Sequence, residues 1–150
     1  MIFVDRAEVS VPASMRSDKT LAAYNAIADV IGKTRRRRPT INFGIFKTRE
    51  VKTALKMLFA GKCAYCETPD DGAHGVDHFR PHTSAAGFSG ETSVHYYAWL
   101  AYEWGNLVYA CTTCMNSTEN MFPVTGERAP ILASFPKFGN GGQFTPIMSV

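Results

Sequence analysis

Two short runs, Cys63-Ala64-Tyr65-Cys66 and Cys111-Thr112-Thr113-Cys114, hold every cysteine of the chain. Two residues between thiols let the backbone turn as a tight knuckle, so that both sulfurs face one ion. Two such knuckles complete the tetrahedron preferred by structural zinc. The alternatives, four buried thiols or a redox pair, do not explain why the cysteines come only in two matched pairs. The 44 residues between the pairs exceed zinc-ribbon spacing, so a sizeable segment is inserted. Four thiolates leave no open position on the ion, and any chemistry must lie elsewhere.

Working outward, 150 residues with 45% hydrophobic and 19% charged content suit a single globular domain. Such a chain buries enough surface to fold without disulfides. No apolar run reaches the ~18 residues of a membrane span, and Met1 to Arg6 lacks the order of a secretion signal. A cytoplasmic, thiol-reducing setting with no membrane association is the expectation. Charge is split along the chain. Residues 1–62 carry 13 Lys and Arg against 5 Asp and Glu, while residues 63–150 carry 3 against 8. A basic arm therefore leads into a mildly acidic, cysteine-bearing part.

The pattern divides into a basic helical region (1–61), a cysteine-bounded core (62–125) and a loop-rich extension (126–150), within one compact domain. Ser17 or Asp18 caps a predicted helix with Leu21, Ala22, Ile27, Ala28, Val30 and Ile31 at helical spacing, ending near Gly32. A short apolar segment, Ile41 to Phe46, precedes a second helix over Thr48 to Phe59. That helix is expected to bury Val51, Leu55, Met57, Leu58 and Phe59, to expose Lys47, Arg49, Lys52 and Lys56, and to stop at Gly61. Residues 63–114 read as short strands and loops punctuated by Gly72, Gly75, Pro81, Gly87 and Gly90. Within them the aromatic run from Ser93 to Tyr102 reads as buried helix or packed loop, and Leu107 to Ala110 as a strand. A last helix is expected to start near Cys114 and stop before Pro123.

Inside the insert lie Val76-Asp77-His78-Phe79-Arg80-Pro81 and Trp104-Gly105-Asn106-Leu107. An Asp-His at a strand end, an asparagine five residues before the second knuckle and a helix after it resemble the HNH, or ββα-metal, nuclease family. More narrowly, Gly61 to Glu67, Asp77 to Pro81, Tyr97 to Asn106 and Asn120 to Pro123 resemble HNH proteins encoded beside ATPases in retron and Septu anti-phage systems. The likeness runs from about Ala54 to Leu132. It implies an α+β fold, with a helical N-terminal part and a ββα-metal core held by a four-cysteine zinc. It also implies a metal-dependent endonuclease cutting DNA, with an ATPase partner subunit.

The residue chemistry agrees with that implication. Phosphodiester hydrolysis needs an activated water and charge neutralisation at the phosphate. His78 is suited to take a proton near neutral pH, and Asp77 offers a hard oxygen to Mg²⁺ or Mn²⁺. In the family's pattern Asn106 pins the loop that orients the histidine. Arg80 can hold a phosphate oxygen or serve a structural ion pair.

This chain departs from the pattern just after the last knuckle cysteine, where the family has His or Asn as a metal ligand and Met115 stands here. A thioether is a poor ligand for hard cations. Asn116, one helical step on, and Glu119, four residues on, are the candidate replacements; Glu119 reads equally as a surface charge. His82 stands where the subgroup often has Lys, and His74 and His95 belong to no motif and read as surface or packing residues. Arg35, Arg36, Arg37 and Arg38, with Lys52 and Lys56, can form a phosphate-binding stripe or dock an acidic partner. Residue 115 separates the leading reading, a nuclease, from the alternative, an HNH-like scaffold that only binds nucleic acid or protein.

Overall fold

The computed structural model of the protein describes residues 4–33, 37–86 and 92–125. Arg35, Arg36, Gly87, Gly90 and the extension from residue 126 lie outside the described residues. Helix α1 (Asp18–Lys33) begins where Ser17 Oγ accepts the Thr20 N–H at 3.3 Å, and it buries Tyr24, Ile27, Ala28 and Ile31. The apolar segment that follows closes into a single turn, α2 (Phe43–Phe46), with Asn42 Oδ1 accepting the Gly44 N–H. Helix α3 (Arg49–Leu58) starts at Thr48, whose hydroxyl accepts the Val51 N–H at 3.2 Å.

Val51, Leu55 and Leu58 form the buried stripe of α3 at i, i+4 and i+7. Met57 falls off that stripe and is 68% exposed, against the sequence expectation. Lys52, expected on the open face, is half-buried. The helix stops in a Schellman arrangement: the Ala60 N–H bonds to Met57 O and the Gly61 N–H to Lys56 O. Ala60 (φ 51°) as well as Gly61 (φ 69°) takes the left-handed conformation that this turn requires.

Strand β1 (Gly75–His78) pairs antiparallel with β4 (Leu107–Ala110), with Gly75 opposite Ala110 and His78 opposite Leu107. Between them β2 (Ala85–Ala86) and β3 (Thr92–Ser93) form a second, minimal pair. The aromatic run is a packed loop with one 3₁₀ turn (Ala98–Leu100) rather than a helix. Helix α4 (Thr112–Thr118) follows β4 directly. It starts two residues earlier than the sequence suggested because Cys111, not a later residue, is the cap: its sulfur accepts the Cys114 N–H. Beyond α4 the chain returns to β2 through Ala86 N–H to Asn120 O and Phe122 N–H to Ala86 O.

One apolar cluster spans both halves of the chain. It joins Met15, Ile27, Ile31, Phe46, Val51, Leu55 and Phe59 to Ala64, Ala98, Tyr102, Trp104, Leu107 and Tyr109. Arg6 fastens the lead-in to this core by donating to Trp104 O and Leu107 O, both at 2.7 Å. The fold is thus a mixture of helices and small sheets, and no described helix is long and apolar enough to cross a membrane. Leu55, fully buried on the stripe of α3, is a direct probe of this cluster. Leu55→Ala is expected to cost roughly 2–5 kcal/mol of folding stability, measured as a loss in a denaturant titration; a loss well below 1 kcal/mol would mean α3 does not pack as described.

Candidate functional site

Cys63 leaves the end of α3 through the turn at Gly61, and its N–H bonds to Thr68 O, closing the first knuckle. The second knuckle is the junction of β4 and α4. All four sulfurs lie within 4.8 Å of one another, and Cys66 Sγ is 3.8 Å from Cys111 Sγ. A zinc ion with Zn–S bonds of about 2.3 Å requires sulfur–sulfur edges of about 3.8 Å. Backbone N–H groups already point at sulfur, from Cys111 to Cys63 and from Cys114 to Cys111, each at 3.4 Å. Bonds from Thr68 favour the Cys66 thiolate, to about 6, whereas burial and the neighbouring sulfurs push the Cys114 thiol up, to about 12. Four sulfurs this close cannot all ionise without a cation among them. The donor set fits a metal ion such as zinc.

The first knuckle reaches β1. Tyr65, between its two cysteines, donates from its hydroxyl to Asp77 Oδ2 at 3.2 Å. Burial raises the Asp77 carboxyl above the usual range, opposed by the His78 N–H, the Tyr65 hydroxyl and the charge of Lys47. His78, the last residue of β1, turns the other way into the core. Its Nε2–H donates to Ala101 O at 2.9 Å, which leaves the Nδ1 lone pair as the ring's acceptor. Burial first, then the His82 and Lys47 charges, hold His78 down at about 3, with the Ala101 bond opposing. The ring stands edge-on to Phe46 at 4.6 Å and lies 4.0 Å from the His82 ring.

Asn106 clamps the turn after β1. Its Oδ1 accepts the Arg80 N–H at 2.8 Å, its Nδ2 donates to Arg80 O at 3.0 Å and to Leu100 O at 3.3 Å, and its own carbonyl accepts the Phe79 N–H. The one side chain therefore joins the turn after His78 to the loop that presents Ala101. Arg80 lies over the Phe79 and Phe122 rings, at 5.7 and 5.5 Å from their centroids.

The remaining candidates scatter. Met115 lies against Gly75: a Cβ there would meet its Cε at 3.4 Å. Gly75 shares a strand face with Asp77, so Met115 is on the Asp77 side of β1. Asn116 is exposed. The expected helical continuation to Glu119 stops at Thr118, whose hydroxyl bonds back to Cys114 O and Met115 O. Glu119 is the exposed C-cap at φ 35°. Among the described residues, Asp77 joins no group of three His, Cys, Asp or Glu ligand atoms. Lys56 is held by Asp70 Oδ2 at 2.7 Å. Arg37 and Arg38 are exposed, with Arg37 O accepting from His95 Nε2 at 2.7 Å.

One residue that sequence reasoning gave no part in the site is Tyr65. Tyr65 was visible only as the filler of a knuckle, whereas Lys47 was read as the start of the basic stretch, Lys47 to Lys56, of a phosphate-binding stripe and not as a neighbour of Asp77 and His78. The Lys47 charge is felt at Asp77, His78 and His82 alike. His74 and His95, expected at the surface or in packing, are both buried. His74 Nδ1 lies 3.3 Å from Asp70 and 3.4 Å from Asp71. The Asp70 carboxylate in that group is already taken by Lys56, Tyr109 and the Gly72 N–H.

No family model and no solved structure matches the chain. It is 39% identical over 90 residues to Septu protein PtuB of Bacillus mycoides (strain KBAB4), covering 57% of this chain and 30% of that protein. It is 36% identical over 81 residues to Septu protein PtuA of the same strain, covering 53% of this chain and 11% of that protein. The chain thus spans under a third of the curated relatives it matches.

Two outcomes follow from this geometry. Elemental analysis should find about one zinc per chain, and Cys63→Ser should unfold the core because metal binding and folding are coupled; well-folded, zinc-free protein would contradict this. Both His82 ring nitrogens are buried without a partner, and burial, then Lys47, holds this histidine down at about 4. A histidine kept neutral in the fold but protonated when unfolded contributes stability above about pH 6.5, lost as pH falls toward 4. His82→Phe should raise the melting temperature at pH 5 more than at pH 7.5, flattening the slope across that window; equal shifts at both pH values would contradict it.

Proposed function

We propose that the chain is the nuclease part of an anti-phage defence system, hydrolysing phosphodiester bonds of DNA from an HNH-type ββα-metal core. The observation that carries this reading is the coupling of His78 and Asn106. A buried, neutral imidazole is fixed through Nε2 to Ala101 O, and Asn106 holds the turn that follows it. β1, β4 and α4 supply the ββα order, with the four sulfurs at its base. The likeness to two Septu proteins supports the defence role and a partner subunit in a defence complex.

In this reading His78 Nδ1 accepts the proton of the attacking water. Burial disfavours the charged form, so the ring is neutral but a weak base in this state. An anionic phosphodiester beside it favours the charged form and lifts its basicity during the reaction. Asp77, oriented by Tyr65, offers one hard oxygen. That suits Mg²⁺ or Mn²⁺, since such ions are often held by one or two carboxylates plus water and substrate phosphate. The bound ion would neutralise charge on the phosphate. Lys47 lends a positive charge on the same side, and the cysteine-held zinc has a structural part only.

The alternative, a scaffold that binds without cutting, is favoured by Met115 on the Asp77 side, where an oxygen or nitrogen ligand is missing. Plasmid nicking with added Mg²⁺ or Mn²⁺ separates the two. His78→Ala should lower the nicking rate by a factor on the order of 10² or more while zinc content stays near one per chain, and Met115→Asn should reduce the metal concentration needed. A His78→Ala chain that nicks at the parent rate would overturn the proposed base. No nicking by either the parent or Met115→Asn would favour the scaffold.

A further inference from the structure

A cleft of about 370 Å³ opens on the outer side of β1. It lies between the start of α3 and the Met115 side chain, lined by Lys47, Thr48, Arg49, Lys52, Gly75, Val76 and Met115. Three of these seven residues are cations and none is acidic. Arg49 and Lys52 stand at i and i+3 on one helix face, and Lys47 precedes the cap. Among the described residues no carboxylate makes a salt bridge with Lys47, Arg49 or Lys52. Lys56, the next cation on the same face, is by contrast neutralised by Asp70 at 2.7 Å. Glu50, the one acid of α3, is turned away and accepts the Ala13 and Ser14 N–H groups.

We propose that this cleft binds a backbone phosphate of nucleic acid on the Asp77-bearing strand, with Lys47, Arg49 and Lys52 as its cations. Positive charge gathered in a concavity without a carboxylate partner favours an anion, and among the described residues Lys47 has only the Phe43 ring, at 4.9 Å from its centroid, beneath its ammonium. The rest of the lining from β1 and α4, Gly75, Val76 and Met115, is apolar, which suits a sugar next to the charged phosphate. Val76 lines the cleft and Asp77 follows it on the strand, so the phosphate held here lies on the strand that carries the proposed chemistry. Met115 acquires a part in this arrangement: its thioether, a poor ligand for a hard cation, is a wall of the phosphate site. The four-arginine run at residues 35–38 is then not needed as the principal contact.

The inference rests on the reading of the chain as acting on nucleic acid, and binding tests it apart from cleavage. Fluorescence anisotropy with single- and double-stranded DNA and RNA oligonucleotides would be followed across a salt series, without added Mg²⁺ or Mn²⁺. The double variant Arg49→Gln, Lys52→Gln should weaken binding at least about tenfold and reduce the salt slope by about two, as expected for two lost phosphate contacts. Lys56→Gln should change affinity less than about twofold, because its charge is already paired. Thermal melts matching the parent would show that both variants fold. Unchanged affinity and slope in the double variant, or an equal loss in Lys56→Gln, would overturn the proposal. So would a parent chain that binds no oligonucleotide, an outcome that assigns the cations to an acidic protein instead. A chain that binds through the cleft yet never nicks plasmid keeps this inference and fails the nuclease reading. A chain that nicks as fast in the double variant does the opposite.

Discussion

Four sulfurs brought within 4.8 Å of one another are the constraint on which the rest depends. They close a loop of 44 residues, and that loop contains both strands of the main sheet together with Asp77, His78 and Asn106. Closing so long a loop costs chain entropy that the two-stranded sheet cannot offset alone. A shared metal ion would supply that closure. The knuckles are also tied to the strands by ordinary bonds: the Ala64 N–H reaches Tyr109 O at 2.7 Å, and Tyr65 reaches Asp77. Holding the sulfurs therefore also holds the carboxylate.

Around that anchor the molecule sorts its polar groups by opposite means. Asn106 is buried with its amide fully engaged, three bonds fixing two loops to each other. Its burial costs little because its hydrogen bonds are replaced in kind. His78 and His82 are buried without full replacement and stay neutral instead. Lys47 keeps its ammonium at the surface while its field reaches both histidines and Asp77. Burial disfavours the charged forms of Asp77 and of both imidazoles, and the Lys47 charge opposes this at Asp77 while adding to it at the histidines.

Much of this was legible in the residues. The knuckle spacing announced the sulfur cluster. The caps at Ser17 and Thr48 and the spacing of Val51, Leu55 and Leu58 set α1 and α3 within a residue or two. Asp77, His78 and Asn106 could be picked out by their order along the chain. Errors came where side chains compete with the backbone. Cys111 sulfur accepts the Cys114 N–H, which starts α4 early, and Thr118 bonds back to the preceding turn, which ends it before Glu119. Met57 looked buried because it is apolar, but it lies off the stripe that faces β4.

The sequence by itself determined which residues are sulfur donors, which helices carry the positive charge, and in what order strand, asparagine and final helix occur. These depend on local spacing and on residue chemistry, which are properties of a short stretch. Tertiary structure alone decided which of those residues meet. It paired Lys56 with Asp70 while leaving Lys52 in a cleft, turned His78 inward to Ala101 and Asp77 toward Tyr65, and set Met115 against Gly75. Each of those outcomes joins residues 12 to 40 positions apart, through turns whose direction no local period records. The same basic helix therefore reads in one dimension as a uniform stripe, and in three as one neutralised cation and two available ones.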